Sequence, residues 1–148
     1  MVRVPLPRPV VGERVRLALE AARPGALKTA ALVEVTELSL YQVRNGLRWI
    51  RETAAVEHLT PLTWTFRSGY AFSDEPEDWV DYEQRQVIAA LTKLELTITG
   101  VFAPHQGRSA DPYVTMAVQQ INGVISALKF VRDQAPRSSR ENHQSIKA

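Results

Sequence analysis

The sequence predicts a mainly α-helical protein with one small β-hairpin, in which a pair of C-terminal helices follows a mixed first half. Apolar residues recur at helical spacing through both halves of the 148-residue chain. One short segment, residues 62–72, instead alternates apolar and polar residues around a glycine turn, as a half-buried hairpin does. Prolines at positions 24, 76, 112 and 136 lie where the helical patterns start or stop.

The amino-acid composition is that of a soluble globular protein and excludes several kinds of site. Hydrophobic residues make up 45% of the chain and charged residues 23%, which is ordinary globular usage. The absence of cysteine excludes disulfides, thiolate nucleophiles and cysteine-ligated metals. No apolar run approaches the roughly 20 residues of a membrane span, and the first residues lack a signal-peptide core. We therefore expect a cytoplasmic protein without a membrane partner.

The charges are divided unevenly along the chain, although the net charge is only +2. Residues 1–73 carry ten basic and six acidic side chains, and residues 74–135 carry five basic and nine acidic ones. Residues 136–148 add three basic and one acidic side chain. A basic first half joined to an acidic second half suggests that the first half meets a polyanion.

The first half is predicted to contain an arm, three helices and the hairpin. Residues 1–11 include three prolines and are expected to form an extended arm. Helices are predicted from residue 12 to a stop at Arg23, over about 27–35, and over about 40–53 with Ser39 as N-cap. The large apolar side chains of the hairpin are expected in the core; they are Leu62, Trp64, Phe66, Tyr70 and Phe72.

The second half, residues 74–135, is predicted to be a helical hairpin. A first helix starts at Ser73–Pro76 and a second is capped by Asp111, with a loop over 103–107. Residues 94–102 are also compatible with a strand. The predicted seam of the first helix is Val80, Val87, Leu91, Leu94, Ile98 and Val101. That of the second is Tyr113, Ala117, Ile121, Val124, Leu128 and Val131. Residues 136–148 are expected to be a disordered tail.

The order of elements over residues 12–73 resembles the winged helix-turn-helix family of DNA-binding domains. Within it, residues 29–47 are similar to the family's pattern of a small residue, an apolar residue before a polar cap, and an aliphatic-spaced recognition helix. Glu37 departs from the pattern, because small or polar residues are commoner in that turn. Together with the helical second half, the layout resembles MarR- and PadR-type regulators. The resemblance implies a sequence-specific double-stranded DNA-binding protein, a transcriptional regulator or repressor, that forms a homodimer through its C-terminal helices.

The third predicted helix can be divided into two faces at about 100° per residue. Val43, Leu47 and Ile50 form an inward stripe, and Arg44, Asn45 and the neighbouring polar residues project outward. Arginine and asparagine match the edges of guanine and adenine in the major groove. Glu52 lies on the same face and would repel phosphate. With the hairpin-tip arginine, the predicted DNA-binding residues are Ser39, Tyr41, Gln42, Arg44, Asn45, Arg48 and Arg67.

Other functions stay open at this point. The outward face is also compatible with an ordinary solvated helix, and the domain with a protein-interaction module or a replication or recombination accessory. The two C-terminal seams can close on each other or on a second copy. An enzyme is not expected, because His58, His105 and His143 lack metal-ligand spacing and no nucleophile elbow occurs. No metal or cofactor is predicted; a small-molecule effector is permitted by the resemblance, but no residue cluster indicates one.

Overall fold

The computed structural model describes residues 5–135 and confirms the mainly α fold class with a small hairpin and C-terminal helices. The elements in chain order are α1 (Arg8–Ala22), α2 (Thr29–Thr36), α3 (Leu40–Trp49), a π-helical turn (Ile50–Ala54), α4 (Ala55–Glu57), β1 (Leu62–Thr65), β2 (Gly69–Phe72), α5 (Pro76–Thr97), a second π-helical turn (Ile98–Phe102), α6 (Ala103–Gln106) and α7 (Pro112–Gln134). The chain divides into two compact units, one up to Trp79 and one from Val80 onward.

The core of the first unit lies among α1, α2, α3 and the hairpin. Val11, Val15 and Leu19, which recur at helical spacing along α1, are all buried, and Ala22 at its end is half-buried. Val43 and Leu47 on α3 are buried with them, as the angular assignment of that helix predicts. The remaining buried members of this core are Leu32, Leu38, Ile50, Ala54, Leu62 and Phe72.

Two glycines let α1 and α3 approach each other closely. A Cβ atom added at Gly12 would lie 2.2 Å from Cε3 of the Trp49 indole. A Cβ atom added at Gly46 would lie 2.8 Å from Cγ2 of Val15. Since both distances are far shorter than a van der Waals contact between carbon atoms, this helix packing requires residues without a side chain.

The first helix begins at Arg8, four residues earlier than predicted. Proline favours a helix start, because its missing N–H is one of the groups that has no intrahelical partner there. Pro7 is the N-cap and Pro9 lies in the first turn, so the prolines that suggested an arm instead begin the helix. The extended arm is therefore wrong for residues 8–11, and residues 1–4 lie outside the described part of the chain.

The turn between α2 and α3 combines a left-handed residue with a capped helix start. Glu37 ends α2 in the left-handed conformation, with φ 56° and ψ 24°. This conformation is costly for residues other than glycine, which is why a small residue is commoner here. The Ser39 Oγ accepts a hydrogen bond from the Gln42 N–H, and the Gln42 Oε1 accepts one from the Ser39 N–H. This capping box confirms the predicted N-cap of α3.

A third short strand contact ties the hairpin to the loop between α1 and α2. In the hairpin itself, β1 pairs antiparallel with β2, and Trp64 lies opposite Tyr70. The Leu27 N–H donates to the Tyr70 carbonyl at 2.8 Å, and the Tyr70 N–H donates back to the Leu27 carbonyl at 2.9 Å. Gly69 has φ 94°, and a Cβ there would lie 2.5 Å from the Leu27 carbonyl oxygen. Glycine at this position is therefore required by both backbone conformation and space.

The aromatic residues of the hairpin are only partly in the core, contrary to the prediction. Leu62 and Phe72 are buried, but Trp64 is 40% exposed and Phe66 is 88% exposed. Phe66 follows the last residue of β1 and belongs to the turn, so the alternation of a strand no longer determines its direction. The alternation of apolar and polar residues predicts that β1 includes Phe66, but the strand ends at Thr65.

The helices of the second unit are longer than predicted. From Pro76 the chain is helical without a break to Gln106, through the π-helical turn, so the alternative of a strand at 94–102 is wrong. Most of the loop expected at 103–107 is α6. Pro104 is the second residue after the π-helical turn, where the α-helical hydrogen-bond pattern is already displaced, so its missing N–H does not end the helix. Asp111 Oδ1 accepts from the Tyr113 N–H and caps α7, as predicted.

The buried seam of α7 is rotated from the predicted one. Tyr113, Val124 and Val131 were expected inside but are exposed, as is Val101 at the end of the preceding helix. Apolar residues occupy two faces of α7, and helical spacing alone does not say which of them meets the neighbouring helix. The inward residues are Val114, Ala117, Val118, Ile121, Ile125 and Leu128.

Candidate nucleic-acid interface

The outward face of α3 carries the polar residues that the sequence placed there. Tyr41 is 74% exposed, Arg44 and Arg48 are exposed, and Asn45 is half-buried. The opposite face of the same helix is the buried side that packs on α1. The helix therefore presents two guanidinium groups, an amide and a phenol to solvent. Because the opposite face of α3 is packed in the core, the backbone that carries these four side chains is held in place.

Two of the predicted site residues hold the start of this helix. The side chains of Ser39 and Gln42 bond each other's backbone N–H groups at 3.2 and 2.9 Å. The Ser39 hydroxyl proton and the Gln42 amide N–H₂ take no part in the capping box, so both remain available as donors. The capping box of Ser39 and Gln42 fixes the direction in which α3 begins. Any contact of these two side chains with a ligand is made from the capped conformation.

The unpaired basic residues coincide in part with the predicted site. In the first unit, Arg16 pairs with Glu13, Arg23 pairs with Glu20 and Asp74, and Arg8 pairs with Glu52. Arg51 lies over the Tyr70 ring, with 5.6 Å between the guanidinium carbon and the ring centroid. Within residues 5–79 the basic side chains without a salt bridge are Arg14, Lys28, Arg44, Arg48 and Arg67.

The Arg8–Glu52 pair changes the interpretation of the acidic residue on this face. The sequence predicts that Glu52 repels phosphate. In the structure Arg8 Nη2 lies 2.5 Å from Glu52 Oε2, so the carboxylate charge is balanced by a guanidinium from the start of α1. The sequence does not reveal this partner, because the prolines of residues 1–11 predict an extended arm at Arg8.

A cleft lies between the start of α1 and α3, with a volume of about 920 Å³. We call it the α1–α3 cleft. Arg8 and Arg14 line it from α1, and Tyr41, Asn45 and Arg48 line it from α3. Arg14 cannot be singled out from the sequence, because helical spacing does not show which flank of α1 lies beside α3. The other lining residues are Pro5, Leu6, Val11, Glu37, Leu38, Ser39 and Gln42.

The hairpin tip places Arg67 in a closed turn. The Ser68 N–H donates to Thr65 Oγ1 at 3.1 Å, which holds the turn together. Arg67 therefore projects from an ordered tip, next to the exposed ring of Phe66. Trp49 contacts Gly12 on α1 and adjoins the core from that side.

The acid and histidine side chains show no metal-like arrangement in the described part of the chain. Residues 5–135 contain no group of three or more His, Asp or Glu side chains placed to hold a metal ion. His105 lies 4.0 Å from Asp111 in the loop before α7, and His143 lies outside the described residues. That no enzyme, metal or cofactor is involved stays a prediction.

Two helical stretches of the second unit are long and apolar enough to cross a membrane by length and composition. They are Pro76–Gln106 and Pro112–Gln134, with mean hydropathies of 1.4 and 1.2 over 18 residues. A mostly buried core helix of a soluble protein passes the same criterion, whereas only 6% and 11% of these two windows are buried. Lys129 and Glu95, one on each stretch, form an ion pair at 3.3 Å.

Comparisons with protein-family models, with curated proteins and with solved structures found no match for this chain. The candidate interface therefore depends on its geometry: a capped helix with exposed cations on one face, a cleft beside it and an arginine at the hairpin tip.

Proposed function

We propose that this chain is a sequence-specific double-stranded DNA-binding protein, a winged helix-turn-helix regulator of transcription that acts as a homodimer. The observation that carries the proposal is the outward face of α3. Arg44 and Arg48 are exposed and form no salt bridge within residues 5–135, on a helix whose opposite face is buried and with Asn45 between them. A helix of this kind fits the major groove, where arginine bonds guanine and asparagine bonds adenine.

Three further features support the proposal. The Ser39–Gln42 capping box fixes the start of α3, which is the end that contacts base edges in helix-turn-helix proteins. The contact between Leu27 and Tyr70 ties the hairpin to the loop before α2, so Arg67 is held on the same body as α3. Arg67 in that position is suited to a phosphate or to the minor groove.

The test measures binding of a labelled random-sequence duplex at several salt concentrations. We expect binding that falls steeply with salt, because the affinity depends on phosphate contacts. On a duplex that carries a sequence selected by the chain from a random pool, changing both Arg44→Ala and Arg48→Ala should weaken binding at least tenfold, since each base-contacting arginine contributes about 1–3 kcal/mol there. Arg108→Ala, an exposed arginine in the loop before α7, is the matched control. A double variant that binds as tightly as the original chain contradicts the proposal and favours a protein-interaction module.

The second unit supports the homodimer. The stretch 80–135 contains five basic and five acidic residues, so net charge does not oppose pairing of two copies. The acidic excess noted in the sequence comes from the carboxylates at 74–78, ahead of this unit. A groove of about 430 Å³ in this unit is lined by apolar residues that include Val87, Ile88, Phe130 and Val131. Two-fold pairing of identical chains is the commonest way to cover such a surface.

Selection of bound sequences from a random duplex pool, with a solution mass measurement, tests the assembled regulator. We expect a two-fold symmetric consensus, because a dimer presents two copies of α3 to two half-sites. An asymmetric consensus bound by a monomer contradicts the dimer. Sedimentation of the chain with lipid vesicles contradicts the aqueous, cytoplasmic placement.

A further inference from the structure

The α1–α3 cleft has a second row of cations that does not belong to the recognition helix. Arg14 comes from α1 and faces the same cleft as Arg48 and Asn45 of α3. Neither Arg14 nor Arg48 forms a salt bridge within residues 5–79. Val11 and Leu38 are buried residues that also line the cleft. The cleft is thus a concave strip with an apolar base and guanidinium groups on both sides.

The acidic residues near this strip are few, and one of them is neutralised. Glu37 lines the cleft, and Glu52 lies beyond Trp49 in the π-helical turn that continues α3. The Arg8–Glu52 pair at 2.5 Å balances the second of these carboxylates, although both side chains are about half exposed. Arg8 itself lines the cleft. The surface beside α3 is therefore more positive than its sequence suggests, because Arg8 balances a carboxylate that would face a polyanion.

We infer that the α1–α3 cleft binds the sugar–phosphate backbone of the DNA strand at the edge of the groove that α3 enters. Arg14 contacts a phosphate there, and Arg8 acts as a positioning residue that cancels the charge of Glu52. The inference rests on the proposed function. A concave strip with an apolar base suits deoxyribose, and guanidinium groups on its rims suit phosphate oxygens. Such contacts set the register of the protein on the duplex and carry no sequence information.

The first test compares the salt dependence of Arg14→Ala with that of the unchanged chain on the random-sequence duplex. One phosphate contact contributes about 0.9 to the slope of log affinity against log salt. Between 50 and 200 mM salt, the unchanged chain should therefore lose about 3.5-fold more affinity than Arg14→Ala. The loss in affinity should be similar on every duplex sequence. Arg14→Lys should restore most of the slope, and Arg108→Ala is the control.

The second test separates the charge of Arg8 from its contribution to folding. Arg8→Ala should weaken duplex binding, because Glu52 is then unbalanced beside the phosphates. Adding Glu52→Gln to that variant should restore affinity to about the original value, although the salt bridge is still absent. A role limited to holding α1 in place predicts that the double variant stays weak. Thermal unfolding of each variant shows that the binding changes do not come from loss of the fold.

The outcomes distinguish this inference from the proposed function. If Arg44→Ala and Arg48→Ala weaken binding but Arg14→Ala leaves the salt slope unchanged, the cleft does not hold the backbone and the proposed function stands. If the double variant of Arg8 and Glu52 binds as weakly as Arg8→Ala, the positioning role is wrong. If the unchanged chain binds no duplex at any salt concentration, the proposed function fails and the inference with it.

Discussion

Substitution of Gly12 by alanine gives two opposing effects whose magnitudes can be compared. Alanine favours a helix interior over glycine by about 1 kcal/mol, so the change would stabilise α1 if space were available. The new Cβ would lie 2.2 Å from Cε3 and 2.5 Å from Cδ2 of the Trp49 indole. Overpacking of a core typically costs about 1–3 kcal/mol, and a rigid ring places this site at the upper end. We expect a net loss of about 1–2 kcal/mol.

Thermal unfolding followed by circular dichroism and tryptophan fluorescence measures this loss. For a unit of fewer than 100 residues, it corresponds to a decrease in Tm of roughly 4–16 °C. The control is Gly12→Ala in a Trp49→Ala background, in which the indole is absent. There the same change should raise the Tm, because only the helix preference remains. A Gly12→Ala variant that is as stable as the original chain, or more stable, would refute the close packing of α1 on α3.

Three further predictions follow from the structure. Glu37→Gly should raise the stability of the first unit by about 0.5–1 kcal/mol in urea unfolding, because it relieves the left-handed conformation, whereas Glu37→Ala should not. Two hydrogen bonds from Arg16 lower the pKa of the Glu13 carboxyl below its usual value. Its contribution is therefore complete above about pH 4.5 and lost as the pH falls through the lowered pKa, so Glu13→Gln should reduce stability at pH 7 but less at pH 2. Phe130→Glu, at the exposed groove of the second unit, should shift sedimentation from dimer to monomer; an unchanged mass would exclude this groove from the dimer contact.

The faces of α3 could be predicted from the sequence because the residues themselves separate by type. Val43 and Leu47 recur on one side of the helix, and Arg44 and Arg48 on the other, so a single period decides their direction. The position of Arg14 beside α3 could not be predicted in this way. It depends on the close approach at Gly12 and Gly46, which is a property of the two helices together.

Helical spacing was insufficient where apolar residues cover more than one face of a helix. On α7, Tyr113 and Val114 can each begin an apolar series that continues through Ala117, Ile121 and Leu128. The structure buries Val114 and Ile125 and leaves Tyr113 and Val124 exposed, so the two series differ only at their edges. At the hairpin, Phe66 looked like the next member of an alternating strand, and only the position of the turn shows that it is exposed. Both differences arise from tertiary neighbours that a local pattern does not contain.

The two π-helical turns affect how changes in chain length can be tolerated. Deleting one residue from an ordinary helix rotates every later side chain by about 100° relative to the earlier ones. A π-helical turn has already taken up one extra residue, since its hydrogen bonds run from residue i to i+5. Removing one residue within Ile50–Ala54 or Ile98–Phe102 can therefore restore regular winding and leave both flanking segments in phase. Related chains that are one residue shorter at either place are compatible with the same three-dimensional arrangement within each unit.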